Sequence, residues 1–116
     1  MLDKYRWKKR ILIIFSKDNN FIEKQIKLLN QVKSGLIKRD MILFGFQEDQ
    51  PPFSIEKTIN IESLQKSLSV KDNTLVLLGK DGYMKAIWKK TVDPKTIFDI
   101  VDAMPMRQRE MRNRGK

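Results

Sequence analysis

The sequence predicts an α/β protein built as a three-layer sandwich, a central mixed sheet with helices on both faces in the order β-α-β-α-β-β-α. Three observations carry this. Apolar runs recur at Arg10-Ile-Leu-Ile-Ile-Phe15, Met41-Ile-Leu-Phe-Gly-Phe46 and Leu75-Val-Leu-Leu78, continuous rather than alternating, as in strands covered on both faces. A helix-length segment separates the first two, the spacing of a right-handed parallel crossover. Lys80-Asp81-Gly82 follows the third run at once, and Asp-Gly between strand-like runs marks a hairpin.

The elements follow in order. Ser-Lys-Asp-Asn-Asn at 16–20 ends the first strand, and Asn20 with Glu23 forms a capping-box-like helix start. Ile22, Ile26, Leu29, Val32 and Leu36 place one apolar stripe along that helix, with Gly35 as its C-terminal stop. Residues 48–60, with Pro51-Pro52, read as a loop, and Ile61, Leu64, Leu68 and Val70 as a short second helix. Past the hairpin, Lys85 and Lys89 alternate with Met84, Ala86 and Trp88, the pattern of an edge strand. Asp93-Pro94 opens the last helix, with Ile97, Ile100, Val101 and Met104 on its buried face. Pro105 has no N–H to donate and disfavours helical geometry at Met104, so it ends or bends that helix. The 116 residues fit one domain, with a short basic tail at about 112–116.

Composition excludes more than it assigns. Cysteine and histidine are both absent, which removes thiol catalysis, disulfides, Cys/His zinc sites and histidine acid–base chemistry. No apolar run reaches the roughly 18 residues that span a bilayer. The basic start lacks a signal-length apolar region and a small-residue cleavage site, so the protein stays inside the cell or its signal precedes this sequence. The net charge of +10 is unevenly placed: residues 1–10 carry +4 and residues 107–116 another +4. The basicity lives at the two ends.

The element order resembles the thioredoxin fold, whose functional corner is the loop between the first strand and the first long helix. Here that corner holds Ser16, Lys17, Asn19 and Asn20 where thioredoxins carry two cysteines, and Asp72-Asn73-Thr74 stands where they place a cis-proline. Three further stretches resemble a thioredoxin-like, peroxiredoxin-related domain family of unknown function. They are the N-terminal run with Trp7 and Arg10, the turn Lys80-Asp81-Gly82 with Lys85, and Asp102-Ala-Met104-Pro105-Met106-Arg107 with Glu110. The Met-Pro-Met-Arg motif is the most specific part. Related domains occur in animal sushi-repeat-containing and equarin-like extracellular proteins, and the resemblance implies an extracytoplasmic setting, the alternative being cytoplasmic. It implies no cofactor and transfers no activity.

Each candidate site has a structural reading beside its functional one. Ser16, Lys17, Asn19 and Asn20 stand at a helix N-terminus, where free N–H groups and the dipole favour an anion; an ordinary capped start is the alternative. Met104 and Met106 are adaptable core fillers with Met104 buried, or else part of a partner-binding surface with Arg107. Arg107 pairs with Glu110, or ties back to Asp102 or Asp81. Tyr5 and Trp7 interleave with cations, as in stacking surfaces, but more simply pack under the sheet edge. No carboxylate spacing names a metal site or an acid–base dyad, although Asp49, Asp81 and Asp102 could meet in space. The favoured function is a non-catalytic binding module whose partner is a polyanion or an acidic protein. The alternatives are a thiol-independent enzyme acting on a small anionic substrate at the 16–20 corner, and nucleic-acid binding through the basic termini. Oligomeric state is left open.

Overall fold

A computed structural model describes residues 5–45 and 61–113, so the expected loop at 48–60, Phe46 and Asp49 lie outside the described residues. Among the described residues four strands form a mixed sheet: β1 (Arg10–Phe15), β2 (Met41–Gly45), β3 (Thr74–Leu78) and β4 (Met84–Trp88), in the order β2-β1-β3-β4. β1 and β2 are parallel, with Ile11 opposite Ile42, while β3 runs antiparallel to both β1 and β4. The continuous apolar runs explain the central position of β1 and β3, whose described residues are all buried. Alternate side chains of each strand serve opposite faces. Leu12, Ile14, Leu43, Leu75 and Leu77 pack on one side, and Ile11, Ile13, Phe15, Phe44 and Val76 on the other.

Among the described residues five helices flank the sheet: α1 (Asn19–Asn30), α2 (Lys33–Lys38), α3 (Ile61–Leu68), α4 (Pro94–Asp102) and α5 (Pro105–Asn113). Ile22, Ile26 and Leu29 of α1, Leu36 of α2, and Ile97 and Val101 of α4 join the first face. Leu68 and Val70, with Tyr5 from the N-terminal segment, cover the second. Gln25 adds a buried polar clamp, its amide exchanging hydrogen bonds with the backbone of Val92 at 2.9 and 2.7 Å.

Two expected helices are each divided. The first breaks at Val32, whose φ of −130° leaves helical space, so Gly35 lies inside α2 rather than after a single long helix. Gly35 is there for closeness: a Cβ would lie 2.8 Å from the Phe98 ring of α4. The start also differs. Asp18 is the N-cap, its side chain accepting from Asn20 N–H at 2.9 Å, in place of a box built on Asn20 and Glu23. At the other end α4 stops at Asp102, and Pro105 opens α5, because the first helical position needs no N–H. The Met104 carbonyl then accepts from Gln108 N–H at 2.9 Å. Pro105 thus makes an elbow, and α5 carries Arg112 and Asn113 in helix where a free tail was expected. Met104 is half-buried against the core rather than fully enclosed.

Candidate functional site

The corner at 16–20 is internally occupied. Ser16 is fully buried; its hydroxyl donates to Asn73 Oδ1 at 2.6 Å and accepts from Asp18 N–H at 3.0 Å. The Asp18 carboxylate sits at the α1 N-terminus, which supplies the negative charge an anion would bring. Lys17, Asn19 and Asn20 are exposed around it. The anion reading therefore loses the Ser16 hydroxyl, because the sharp exit from β1 needs it as a tie to the β3 approach.

The other singled-out residues gather at the opposite end of the sheet, the start of β1, about 17 Å away along a six-residue strand. Arg10 is 1% exposed, and its guanidinium grips Glu110 of α5 through Nη1 to Oε1 at 3.2 Å and Nη2 to Oε2 at 3.0 Å. Nη1 also donates to the Arg39 carbonyl at 2.8 Å. The buried Lys80 ammonium lies 2.7 Å from Glu110 Oε2 and 2.9 Å from Asp40 Oδ2. Burial pushes the Glu110 carboxyl up, but the hydrogen bonds and charges of Arg10 and Lys80 outweigh it and hold the pKa at about 2.

A second knot adjoins the first. Arg39 clamps Asp102 with Nε and Nη2, both at 2.9 Å, while its guanidinium stacks 4.0 Å over the Phe98 ring. Buried Arg107 donates to Asp102 Oδ1 at 3.3 Å and to the Lys38 carbonyl at 3.1 Å, and approaches Glu110 Oε1 at 3.6 Å. The Asp102 carboxyl lies below its ordinary range, chiefly through the Arg39 hydrogen bond, with Arg107 adding to it against burial. In the β3–β4 turn, Lys85 Nζ lies 2.8 Å from Asp81 Oδ2 and lowers that carboxyl as well. Glu110, Asp102 and Asp81 thus stay ionised through neutral pH, and none of the three is poised for proton transfer there. The cluster holds charge in place. Among the described residues no group of three potential ligands could hold a metal ion.

The turn itself follows from Gly82 at φ +86°, a left-handed conformation that closes the hairpin. Arg6 lies against Gly82, and Trp7 N–H donates to the Lys80 carbonyl at 2.6 Å. Tyr5 packs on Phe44 with ring centroids 5.6 Å apart, as expected, but Trp7 departs from expectation and is 62% exposed. Its φ of +69° turns the indole away from the core. Beside this segment lies a cleft of about 450 Å³, between the β3–β4 turn and the α4–α5 elbow. Arg10, Lys80, Asp81 and Lys85 form one wall, and Ile100, Met104 and Met106 belong to the other. Sequence reasoning passed over Arg39 and Asp40; the signal available was two adjacent opposite charges directly before a predicted strand.

A family model described as "Domain of unknown function (DUF4174)" matches residues 1–110. The chain belongs to that family. No curated protein matches this DUF4174 chain. Among solved structures, the Plasmodium vivax 2-Cys peroxiredoxin in its reduced form is similar with a TM-score of 0.69 at 15% identity, covering 93% of this chain and 72% of that one. The Plasmodium yoelii thioredoxin peroxidase I gives 0.65 at 17% identity, covering 93% and 79%. The exposed lipoprotein thioredoxin of Streptococcus pneumoniae gives 0.60 at 10% identity, covering 89% and 90%. The DUF4174 chain therefore has the thioredoxin-like, peroxiredoxin-related fold, and it has it without a cysteine. No helix among the described residues is long and apolar enough to cross a membrane.

Proposed function

We propose that this chain is a non-catalytic binding module, a single domain on a thioredoxin-like scaffold without redox cysteines, and that its partner presents an extended anionic surface, a polyanion or the acidic face of a protein. One observation carries the reading: both basic ends meet at Lys80. Its carbonyl takes the N–H of Trp7 and its ammonium takes Glu110 of α5. Glu110 and Arg107 face inward, which leaves Arg109 and Arg112 of α5 exposed at the same end of the sheet as Arg6 and Lys8. Charges that are distant in sequence become one basic surface, which attracts polyanions in a salt-dependent way. Replacing Arg109 and Arg112 by alanine should leave the melting temperature unchanged and move elution from heparin to lower salt. Unshifted elution would remove the support for this reading.

Exposed Trp7 favours a second reading, a single-stranded nucleic acid whose bases stack on the indole. Trp7→Ala would then weaken single-stranded DNA binding by about 1–3 kcal/mol. An unchanged affinity would leave charge alone as the attraction and favour a glycan or acidic protein. The resemblance to a domain family whose relatives include sushi-repeat-containing and equarin-like extracellular proteins supports an extracytoplasmic setting for either partner. A thiol-independent enzyme at the 16–20 corner has the weakest support, since Ser16 is committed to Asn73 and Asp18.

A further inference from the structure

We infer that the basic end of the sheet seats this chain on an anionic lipid bilayer, with Trp7 and Tyr83 at headgroup depth and Met84 and Ile87 beside them. The inference rests on the reading of that end given above and names its partner. Among the described residues five large apolar side chains are exposed, and four of them, Trp7, Tyr83, Met84 and Ile87, gather at the β3–β4 turn and along β4. The fifth, Ile37, stands apart on α2. Local structure builds this strip. Trp7 is held against the turn by its N–H to the Lys80 carbonyl, and Tyr83, 72% exposed, leaves the turn directly after Gly82. β4 is an edge strand of the sheet. Met84 and Ile87 stand opposite Leu78 and Val76, which pack in the second core layer with Tyr5, so both face that side. They share it although three residues apart, because the register shift between Leu77 and Leu78 gives β4 one extra residue.

Scattered apolar residues are ordinary on a surface, but a group of them with a charged rim marks a protein or membrane contact. Trp7 has a φ of +69°, which is costly for a bulky side chain, and that backbone holds the indole in solvent rather than in the core. Tryptophan and tyrosine are the residues of bilayer interfaces, where one part of the ring is in an apolar phase and the other is wet. The rim is cationic, with Arg6, Lys8, Arg109 and Arg112 exposed at this end. The carboxylate of Asp81, in the turn itself, is already neutralised by Lys85 at 2.8 Å. Each cation close to an anionic bilayer adds to the attraction. A glycan supplies charge with no apolar phase beneath it, and Met84 and Ile87 would gain nothing there. A bilayer supplies both in depth, anionic headgroups above acyl chains, and so suits cations that surround a protruding apolar strip.

The test mixes the full chain with vesicles of equal parts phosphatidylglycerol and phosphatidylcholine, and with vesicles of phosphatidylcholine alone. The chain should sediment with the anionic vesicles, come off as salt rises, and ignore the neutral ones. Brominated acyl chains in the anionic vesicles should quench tryptophan fluorescence, and that quenching should vanish in Trp7→Ala. Trp7→Ala should weaken vesicle binding about tenfold with its melting temperature unchanged, the effect of withdrawing one large side chain from the interface. Ile87→Thr, which keeps the β-branched shape suited to a strand, should weaken it as well. Vesicle binding without quenching, and indifferent to both variants, would overturn the inference, because charge alone would then account for it. Vesicles left unbound by a chain that heparin still retains would overturn it too, while leaving the basic surface in place. Single-stranded DNA binding that Trp7→Ala abolishes, with the vesicles inert, would assign the indole to bases instead. Absence of both heparin and vesicle binding would remove the basic-surface reading together with this one.

Discussion

Glu110 ties the first strand, the β3–β4 turn and the last helix together, and Glu110→Gln isolates what that tie contributes. The substitution keeps the side chain's size and removes its charge, leaving Arg10 and Lys80 without their shared carboxylate. The carboxyl pKa falls from 4.5 to about 2 on folding, which corresponds to about 3 kcal/mol of stability at neutral pH. A lowered pKa adds stability above 4.5, and that stability is lost as pH falls toward 2. About 3 kcal/mol also agrees with the cost of breaking a buried pair from one side. Urea denaturation of both proteins at pH 7 should therefore show the variant less stable by about 3 kcal/mol. At pH 3 the gap should shrink to roughly half, because the native carboxylate is then giving up part of its advantage. A gap below about 0.5 kcal/mol at pH 7, the range of ordinary surface changes, would refute the tie. So would a gap that does not change between pH 7 and pH 3.

Arg107→Ala should lower stability by about 1–3 kcal/mol, since it strips one donor from Asp102 and frees the Lys38 carbonyl; an unshifted melt would contradict its structural role. Ser16→Ala should cost about 0.5–1.5 kcal/mol, the net worth of its bonds to the exposed Asn73 and Asp18, and a neutral effect would reopen the corner as a ligand site. Ending the chain after Met111 should change stability little, because Arg112 and Asn113 are exposed in the last turn, and should lower the salt needed to elute from heparin. Disulfide-reductase and thiol-peroxidase assays should read at background, and activity above a heat-killed control would overturn the reading of a cysteine-free scaffold.

β1, β2 and β3 were legible because each is a short apolar run whose neighbours could not extend it, and β4 through its alternation after the turn. Asp81-Gly82 and Pro105 were legible for the same local reason, since backbone chemistry restricts both. The helix boundaries were not. Whether Gly35 ends a helix or lies within one depends on the Phe98 ring, which arrives from 63 residues further along the chain. Asn20 lost the cap to Asp18 because a neighbouring carboxylate competes for the same orphan N–H groups. In the charged cluster the sequence singled out Arg10, Lys80, Asp102, Arg107 and Glu110 but neither Arg39 nor Asp40, and it did not show how they meet. For Arg107 the sequence left Glu110, Asp102 and Asp81 as alternatives; the structure pairs it with Asp102 and Glu110, which lie within five positions of it, and gives Asp81 to Lys85. The Arg10–Glu110 and Lys80–Glu110 pairs span 100 and 30 positions, and no periodicity reports contacts of that separation. Trp7 was misplaced because its exposure is set by a positive φ, which aromatic composition does not reveal.

The central claim is that binding belongs to the basic end of the sheet and not to the corner after β1. Amide shift mapping with a short heparin oligosaccharide tests it most directly, since one titration reports on both ends of the molecule. The account predicts saturable changes at Arg6 to Lys9 and at Arg109 to Asn113, reversed by salt, with the amides of Asn19 to Ile22 unmoved. Changes centred on Asn19 to Ile22, with both basic segments silent, would contradict it.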